Sequence, residues 1–314
     1  MKADVQKPSV WEKARLKVEQ LPDTSAIVVS YNSGPALRDC LFALKTDPQL
    51  SEVIVVNNGN PEKDLRWLER FCVAENKFRL ITGHGTVGFA KGANLGGGSA
   101  TGERLLFLNP DAILRRGSVA ALELARDGLT EPCIVGGRVY GPDGREQRGG
   151  RRKMLRYTSA FTTFTGLSAF ENLHSFFEDM NRLNEPDPLG AVSMPVVSGA
   201  MMYMSRTGFE VLGGFDEAYF LHVEDIDICR RASEVYGGDV VFTSLAGAMH
   251  YGGTSERSRL AVEWEKAKGL SLYFQRFSKS PMESMFAKSL APVFAGLLMG
   301  RVAVQNLRHQ MHDR

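Results

Sequence analysis

Short apolar runs alternate with stretches of helical spacing over residues 25–128. The runs are SAIVVSYN, EVIVVNNG, KFRLIT and ERLLFLNPD, and each precedes a stretch whose apolar residues recur every three or four positions. Because each run is apolar at consecutive positions, both faces of each strand are expected to be covered, as in parallel strands beneath helices. The alternation predicts an α/β fold with a doubly wound, Rossmann-like sheet, whose ligands bind beyond the carboxyl ends of the strands.

The second half of the chain predicts further strands and a helical end. CIVGGRVY, PVVSGAMMYMSR and DVVFTS have the composition of strands, whereas residues 156–182 are rich in aromatic residues and predict a helix. Another helix is expected to begin near Glu224. Helical spacing continues from residue 257 onward, with Pro281 and Pro292 as interruptions.

The pattern divides the chain into three predicted segments: an N-terminal extension (1–23), one α/β domain with helices on both faces of its sheet (24–256) and a helical C-terminal extension (257–314). Of the 314 residues, 43% are hydrophobic and 24% are charged, which is typical of a soluble globular protein with ample material for a core. A formal net charge of +2 gives no basis for nucleic-acid binding.

The cysteines and the N-terminal segment indicate the compartment. Cys40, Cys72, Cys133 and Cys229 lie far apart without a C-x-x-C pair, so a zinc site is not expected and reduced thiols are the simplest account. The segment MKADVQKPSVWEKARLKVEQLPD is charged throughout and lacks the apolar run of a signal peptide. No window approaches 18 uninterrupted apolar residues. A cytoplasmic protein without a transmembrane helix is therefore expected.

Gly83, Gly85 and Gly88 have the G-x-G-x-x-G spacing of a dinucleotide-binding loop. That fingerprint belongs on the first strand-turn-helix unit, with an acidic residue about 20 positions later at the end of the next strand. Here the glycines follow the third strand, the first turn is SYNSG, and Glu103 opens the next strand instead of closing it. The pattern therefore disfavours an NAD-dependent oxidoreductase.

Six motifs occur in one order along residues 24–255: IVVSYNSGPALRDCL, VIVVNNGN, GFAKGANLG, LLFLNPDAIL, SGAMMYMSRTGFEVLGGFDEAYFLHVEDIDICRR and AMHYGG. Together they resemble family 2 glycosyltransferases with the GT-A fold, particularly the rhamnosyltransferase-like branch. The resemblance implies a GT-A-type mixed sheet and an enzyme that transfers a hexose from a nucleotide sugar. It specifies the sugar only weakly.

The resemblance places a metal motif at Asn109-Pro110-Asp111, where the family has its Asp-x-Asp pattern. Asp111 is implied as a ligand of Mg²⁺ or Mn²⁺, which would neutralise the leaving nucleoside diphosphate. Asn109 is implied as a neutral contact to the sugar or the metal, and His250 as a further metal or diphosphate ligand. The first carboxylate of the strict pattern is absent. The alternatives are an Asx-Pro turn that ends a strand and a partly buried structural histidine.

The motif Glu224-Asp225-x-Asp227 resembles the family's Glu-Asp catalytic motif. An inverting transferase needs one carboxylate to accept the proton of the attacking hydroxyl, and Asp225 matches the position of that base. Glu224 and Asp227 share a helix face, whereas Asp225 points elsewhere. The alternative is that acidic residues favour a helix N-terminus on electrostatic grounds alone.

Donor and acceptor contacts are also implied by the resemblance. Many relatives carry aspartate where Asn57 stands, which leaves the choice of nucleobase open. For the glycines, close helix–sheet packing is an equal alternative. The implied nucleotide-sugar contacts outside the metal motif are Ser30, Tyr31, Asn32, Asn57, Gly88, Phe89 and Asn94, with Ser198 and Gly199 near the sugar on the acceptor side.

Two segments lie outside these motifs. GREQRGGRRK contains five basic residues, Arg145 to Lys153, and predicts either a solvated loop or a mobile flap that meets a diphosphate or an anionic membrane. The apolar C-terminal segment with scattered cations predicts a membrane-interface helix, packing on the domain, or a homodimer contact.

These observations favour one functional prediction over two alternatives. We predict an inverting glycosyltransferase that moves a sugar, with rhamnose as the leading candidate, from a dTDP- or UDP-sugar to a hydroxyl of a surface-glycan or lipid-linked saccharide. One alternative is a non-catalytic nucleotide-sugar-binding scaffold, favoured by the missing metal carboxylate but not by the presence of Asp111, Asp225 and His250. The other is the NAD-dependent oxidoreductase.

Overall fold

The computed structural model describes residues 21–165, 167, 179–183, 185–254 and 258–300. Three parts of the chain lie outside the described residues: most of the predicted N-terminal extension (1–23), much of the predicted aromatic helix (156–182) and residues 301–314. The domain boundaries therefore stay predictions.

Within the described residues, nine strands form one mixed sheet and two more form a small antiparallel sheet. The strands are β1 (Thr24–Ser30), β2 (Glu52–Asn57), β3 (Phe78–Ile81), β4 (Arg104–Leu108), β5 (Ala112–Leu114), β6 (Ile134–Tyr140), β7 (Arg151–Arg152), β8 (Ala191–Ser193), β9 (Val196–Val197), β10 (Met201–Ser205) and β11 (Val240–His250). The large sheet has the order β3-β2-β1-β4-β10-β6-β11-β5, with β8 also paired to β11.

The helices cover both faces of this sheet. They are α1 (Gly34–Thr46), α2 (Glu62–Ala74), α3 (Phe89–Ser99), α4 (Ser118–Arg126), α5 (Tyr157–Thr165), α6 (Arg206–Val211), α7 (Glu224–Arg230), α8 (Arg259–Arg276) and α9 (Pro281–Ser289). A π-helical turn, Arg231–Val235, continues α7, and residues 291–300 are helical.

Alternate residues of the central strands are buried on opposite faces of the sheet. In β1, Ile27 and Val29 belong to one hydrophobic cluster, and Ala26 and Val28 belong to the cluster on the opposite face of the sheet. Successive side chains of a strand point to opposite faces, so a run that is apolar throughout requires a helix layer on each side. The predicted doubly wound α/β architecture is confirmed.

The four parallel strands that the sequence predicts, β1 to β4, are confirmed, whereas β10 runs antiparallel to both β4 and β6. This reversal brings the turn before β10 to the carboxyl end of β4, where the Asn109 amide donates to the Ala200 carbonyl over 3.0 Å. Segments from the two halves of the chain therefore meet at one edge of the sheet.

The C-terminal helices pack on the domain. Leu270, Tyr273 and Phe274 of α8 are buried in the same hydrophobic cluster as the strand residues Ile27 and Val29. Other apolar side chains stay exposed, namely Met282, Met285, Phe286 and Val293. In the part of the chain that the structure describes, no helix has both the length and the apolar character to span a membrane.

The peripheral membrane contact and the homodimer stay predictions. Flotation with anionic liposomes at low salt would contradict the membrane contact if no protein rises with the lipid.

Candidate functional site

Two adjoining cavities lie beyond the carboxyl ends of the central strands. The larger, of about 620 Å³, is lined by Tyr31, Asn58 and Thr86, which follow β1, β2 and β3, and by Asp111, which follows β4. The smaller, of about 450 Å³, is lined by residues around the start of α7, including Asp225. The two cavities share the lining residues Phe89, Asn109, Leu221, His222 and His250. A ligand that spans both cavities would therefore pass between them at these shared residues.

Asp111 and His250 meet because β11 pairs with β5, the strand that follows Asp111. His250 Nε2 lies 3.0 Å from Asp111 Oδ1 and 3.1 Å from Asn109 Nδ2. The other carboxylate oxygen accepts hydrogen bonds from the Gly252 amide at 3.1 Å and from the Thr254 hydroxyl at 3.0 Å. The carboxylate is therefore held in one orientation, with one oxygen turned toward the imidazole.

Gln147 orients the His250 ring from the other side. Its Oε1 lies 2.7 Å from His250 Nδ1, and its Nε2 donates to the His250 carbonyl over 2.7 Å. With Oε1 as acceptor, Nδ1 carries a proton, so Nε2 is the nitrogen that faces Asp111: it donates to the carboxylate when the ring is protonated and keeps a lone pair when the ring is neutral. The neutral form is the tautomer in which a histidine binds a cation through Nε2.

The donor set around Asp111 fits a divalent cation that shares its ligands with a substrate. Burial would raise the pKa of the Asp111 carboxyl, but His250 and the Thr254 hydroxyl outweigh it and lower that pKa below its usual range. The described residues contain no group of three His, Cys, Asp or Glu side chains that could hold a metal. Two protein ligands suit an ion of the Mg²⁺ type, which takes its other ligands from substrate phosphates and water.

The start of α7 is set by two left-handed residues. His222 and Val223 have φ values of 68° and 76°, a conformation that is uncommon without glycine. Val223 forms the N-cap, so the Glu224-Asp225 pair begins the helix at the wall of the smaller cavity. The predicted start of this helix near Glu224 is confirmed.

Asp225 is held by contacts from three segments. Arg152 Nη2 lies 2.5 Å from Asp225 Oδ2, which also accepts from the Gly199 amide at 3.0 Å. Asp225 Oδ1 accepts from the Ile226 amide at 2.8 Å. Burial would raise the pKa of the Asp225 carboxyl, but the Arg152 guanidinium outweighs it and lowers that pKa. Asp225 is thus an ionised carboxylate at the wall of the cavity.

The basic loop is not simply solvated. Arg151 forms β7 with Arg152, its side chain is only 3% exposed, and it pairs with Glu146 over 2.6 Å. Arg148 lines the smaller cavity and pairs with Asp179. Arg145, with 89% of its side chain exposed, matches the solvated-loop prediction. Pairing of β7 with β9, which is distant in sequence, accounts for the difference.

Glu224 is buried beside Asp225, and its Oε2 atom has no hydrogen-bond partner within the described residues. Burial, followed by the neighbouring charge of Asp225, raises the pKa of the Glu224 carboxyl above its ordinary value. The two adjacent carboxyls therefore differ in charge, because Arg152 contacts Asp225 and not Glu224.

We expect Glu224→Gln to change how stability depends on pH. The folded-state pKa of Glu224 is raised, so between the unfolded and folded values the native chain binds more protons than the unfolded chain. The wild-type free energy of unfolding should then fall as pH rises through that window, by about 1.4 kcal/mol per unit of pKa difference. Denaturant unfolding from pH 5 to 9 should show a smaller fall for Glu224→Gln.

Glu103→Gln is the matched control, because the Glu103 side chain is 70% exposed. Its pH dependence should match that of the wild type. Parallel stability curves for wild type and Glu224→Gln would contradict the raised pKa.

Asp227 has a structural role in the helix. Its carboxylate is fully buried, lies 2.6 Å from Arg231 Nε one turn later and accepts from the Tyr219 hydroxyl at 3.3 Å. It lines neither cavity. Of the three acidic residues in the motif, Glu224 and Asp225 line the smaller cavity and Asp227 does not.

Gly88 and Phe89 line the larger cavity. Gly88 has φ +88°, and a Cβ there would lie 2.5 Å from the Phe220 carbonyl oxygen, so glycine is required on both counts. The Phe89 amide donates to the same carbonyl over 2.9 Å. These contacts hold the loop before α7 against the start of α3. The glycine signature therefore serves a close backbone approach.

The structure does not bring four predicted nucleotide contacts to either cavity. Ser30 bonds Asn60, and Asn57 bonds Asn60 and Thr82, so both side chains stabilise the turn after β2. The other two are Asn32, which occupies a left-handed turn, and Asn94, which ties α3 to the backbone of Phe215. The neighbour of Asn57, Asn58, lines the larger cavity instead and accepts from the Val87 amide.

Ser198 and Gly199 line the smaller cavity, at the turn between β9 and β10. A Cβ on Gly199 would lie 3.1 Å from Asp225 Cβ, so glycine allows its amide to approach the carboxylate.

Sequence reasoning did not single out Gln147, His222, Asn58 or Thr254. Gln147 and Thr254 act on His250 and Asp111 from loops that no motif covers. His222 lies inside the motif that contains Glu224, but only the fold shows that it lines both cavities.

A mixed sheet with helices on both faces and two adjoining cavities beyond its strand ends agrees with the GT-A fold that the sequence predicts. The chain belongs to the family described as Glycosyl transferase family 2, whose model matches residues 25–210, more than half of the chain. It is thus a family 2 glycosyltransferase, and the predicted enzyme class is confirmed. The oxidoreductase and the non-catalytic scaffold are not supported.

Relatives and structural neighbours agree with this assignment. The chain is 26% identical over 246 residues to Rhamnosyltransferase WbbL of Escherichia coli (strain K12), covering 74% of this chain and 84% of that protein. It is 24% identical over 237 residues to the N-acetylglucosaminyl-diphospho-decaprenol L-rhamnosyltransferase of Mycobacterium tuberculosis (strain CDC 1551 / Oshkosh), covering 72% and 75%. The predicted rhamnosyltransferase-like character is confirmed at the level of the family.

Solved structures confirm the fold. The mannosyltransferase PcManGT from Pyrobaculum calidifontis, in complex with GDP-Man and Mn²⁺, has a TM-score of 0.55 at 15% identity, covering 94% of this chain and 81% of that chain. The crystal structure of GalNAc-T7 with UDP, GalNAc and Mn²⁺ has a TM-score of 0.56 at 14% identity, covering 86% and 55%.

Proposed function

We propose that this enzyme is a metal-assisted, inverting transferase that moves rhamnose from a dTDP- or UDP-sugar to a hydroxyl of a surface-glycan or lipid-linked saccharide. The observation that carries the proposal is the adjacency of the two cavities. Asp111 lines the larger, Asp225 lines the smaller, and His250 borders both. A donor in one cavity and an acceptor in the other would react at this shared border.

The nucleotide sugar would occupy the larger cavity. Tyr31, Asn58 and Thr86 line this cavity and would contact the nucleoside, and Asp111 lines the same cavity. Asp111 and His250 would hold Mg²⁺ or Mn²⁺, which when bound would neutralise the charge of the departing diphosphate. Two neighbours of the same fold were crystallised with nucleotides and Mn²⁺, which supports a divalent ion.

Asp225 would act as the general base. Its carboxylate would accept the proton of the acceptor hydroxyl as that oxygen forms a bond to the anomeric carbon, while the bond from that carbon to the diphosphate breaks. Attack from the face opposite the leaving group inverts the configuration. Glu224, kept protonated by burial, would leave Asp225 as the ionised carboxylate of the pair and would offer a hydrogen bond to the acceptor.

A thermal-shift panel tests the donor assignment. dTDP, UDP, GDP and NAD⁺ would each be added with and without Mn²⁺. We expect a pyrimidine diphosphate to raise the melting temperature, and to do so more with Mn²⁺. A ligand at 100 times its dissociation constant stabilises the native state by about 2.7 kcal/mol. If GDP alone raises the melting temperature, the donor assignment is wrong. If none of the diphosphates raises it, the proposal is overturned.

A further inference from the structure

The Asp225 carboxylate has one orientation because three donors surround it. Arg152 Nη2 and the Gly199 amide donate to Oδ2, and the Ile226 amide donates to Oδ1 over 2.8 Å, while Arg152 Nη1 lies 3.5 Å from Oδ1. An ionised carboxylate offers about four lone-pair positions, so Oδ1, whose contact with Arg152 is long, is the oxygen more open to an acceptor hydroxyl. The Asp225 side chain is 14% exposed and lines the smaller cavity. An acceptor hydroxyl would therefore meet an oriented oxygen.

Arg152 is itself fixed in place. Its strand pairs with β9, where Arg152 lies opposite Val196, and its Nη2 atom also donates to the Val197 carbonyl over 3.0 Å. The preceding Arg151 is anchored in the core by Glu146 and by the Pro186 carbonyl. Since successive strand residues point in opposite directions, anchoring Arg151 on one side directs Arg152 to the other. The Arg152 side chain is only 11% exposed.

Arg152 is a cation in direct hydrogen-bond contact with Asp225. The guanidinium lowers the pKa of the Asp225 carboxyl against the opposing effect of burial. Other charged or titratable groups face Asp225 from the elements around it: His222 in the preceding loop, Glu224 and Asp227 on α7, Arg148 in the basic loop, Lys266 on α8, and His250 at the end of β11. Among these groups, Glu224 would act against the ionisation of Asp225 whenever it is itself ionised, since the two carboxyls interact.

We propose that Arg152 is a positioning residue for sugar transfer: its guanidinium orients the Asp225 carboxylate toward the acceptor hydroxyl. A cation in contact with a carboxylate also favours the ionised form, so Arg152 should set the acid limit of the reaction. The inference rests on the proposed role of Asp225 as the base. If the ion pair were purely structural, replacing Arg152 would change only the stability of the protein. A positioning role also changes the pH dependence of transfer, so the two roles are separable.

The test compares three single variants of the full chain with the wild type: Arg152→Gln, Arg152→Lys and the control Arg145→Gln. Arg145 belongs to the same loop, but its side chain is 89% exposed. Rates of dTDP release from dTDP-rhamnose, with Mn²⁺ and an alkyl N-acetylglucosaminide as acceptor, would be measured from pH 4.5 to 9. In parallel, ¹³C NMR of aspartate-labelled protein, assigned with Asp225→Asn, would follow the Asp225 carboxyl directly.

For Arg152→Gln we expect the acid limb of the rate profile and the Asp225 titration to move upward together, by about 1 to 3 pH units. The turnover number on the plateau should fall on the order of ten- to a hundredfold through loss of orientation. Arg152→Lys keeps the charge but not the fork of donors, so its acid limb should stay nearer the wild-type position while its plateau falls. Arg145→Gln should match the wild type.

An unmoved acid limb and an unmoved Asp225 titration in folded Arg152→Gln would overturn the inference. If the glutamine variant does not fold, a wild-type plateau rate in folded Arg152→Lys would overturn it instead. The double variant with Asp225→Asn gives a second criterion. Arg152→Gln should cause no further loss in that background, because it acts through Asp225. An equal loss in both backgrounds would mean that Arg152 contacts the substrate, and would overturn the positioning role.

These results separate the inference from the proposed function. If Asp225→Asn abolishes transfer while Arg152→Gln leaves the pH profile unchanged, the base assignment stands and the inference fails. If Asp225→Asn keeps near-wild-type turnover, the base assignment fails, and the inference fails with it.

Discussion

Replacing Asp225 with asparagine should lower the turnover number for sugar transfer by roughly 10² to 10⁴-fold, the usual contribution of a general base. The amide is almost isosteric, and its single carbonyl oxygen can accept from either Gly199 or Ile226, but it does not take up the proton of the acceptor hydroxyl. Asp225 lines the smaller cavity and not the larger one. Donor affinity, measured by nucleotide titration, should therefore stay within about twofold of the wild type while initial rates collapse.

The matched control for this variant is Asp39→Asn. Asp39 is exposed on α1 and contacts the Tyr251 hydroxyl at 3.3 Å, outside both cavities, and the substitution makes the same change in charge. Thermal unfolding of both variants should be recorded, because Asp225→Asn leaves the largely buried Arg152 without its carboxylate partner. Near-normal turnover in folded Asp225→Asn would show that another group accepts the proton.

Replacing Asp111 with asparagine should remove the metal-dependent part of donor binding and lower transfer by at least about 10²-fold. The reason is charge, since a cation at the diphosphate contributes several kcal/mol to transition-state stabilisation and each 1.36 kcal/mol is tenfold in rate. Asparagine keeps the hydrogen bonds to Gly252 and Thr254 available but offers no anionic oxygen beside His250. Calorimetric titration of dTDP or UDP, with and without Mn²⁺, together with initial rates, checks both expectations.

Asp39→Asn is again the control, and Mn²⁺ should tighten its nucleotide binding as much as in the wild type. The Asp111 and Asp225 variants should differ in which step they impair. Asp111→Asn should weaken nucleotide binding in the presence of metal, whereas Asp225→Asn should leave that binding intact. An Asp111→Asn protein that still binds the nucleotide more tightly with Mn²⁺ would place the cation elsewhere.

The assignment of nucleotide contacts shows where sequence reasoning reached its limit. Asn57 ends β2 and was a reasonable candidate for the nucleoside, but its amide is occupied by Asn60 and Thr82. The next residue, Asn58, lines the cavity. Beyond the last paired residue of a strand, the direction of a side chain depends on the turn that follows. The strand pattern predicts the place of such a residue but not the direction of its side chain.

The basic loop illustrates the same limit at longer range. The sequence shows its five basic residues, and such a charged, glycine-rich segment is typical of a solvated loop. Arg152 reaches Asp225, 73 positions later, because β7 pairs with β9. Likewise, Gln147 meets His250 across 103 positions. Contacts of this kind have no local signature, since they arise from the pairing of distant segments.

The sequence alone determined the α/β class, the helix-covered parallel strands, the start of the helix at Glu224 and membership of the glycosyltransferase family. These properties follow from local periodicity, from the residues at strand ends and from the order of the motifs. The tertiary structure alone decided that Asp111 and His250 meet, that Arg152 contacts Asp225, and that Glu224 and Asp225 differ in charge. The physical reason is that burial and charge depend on what packs against a side chain, and those partners come from strands that the fold, not the chain order, makes neighbours.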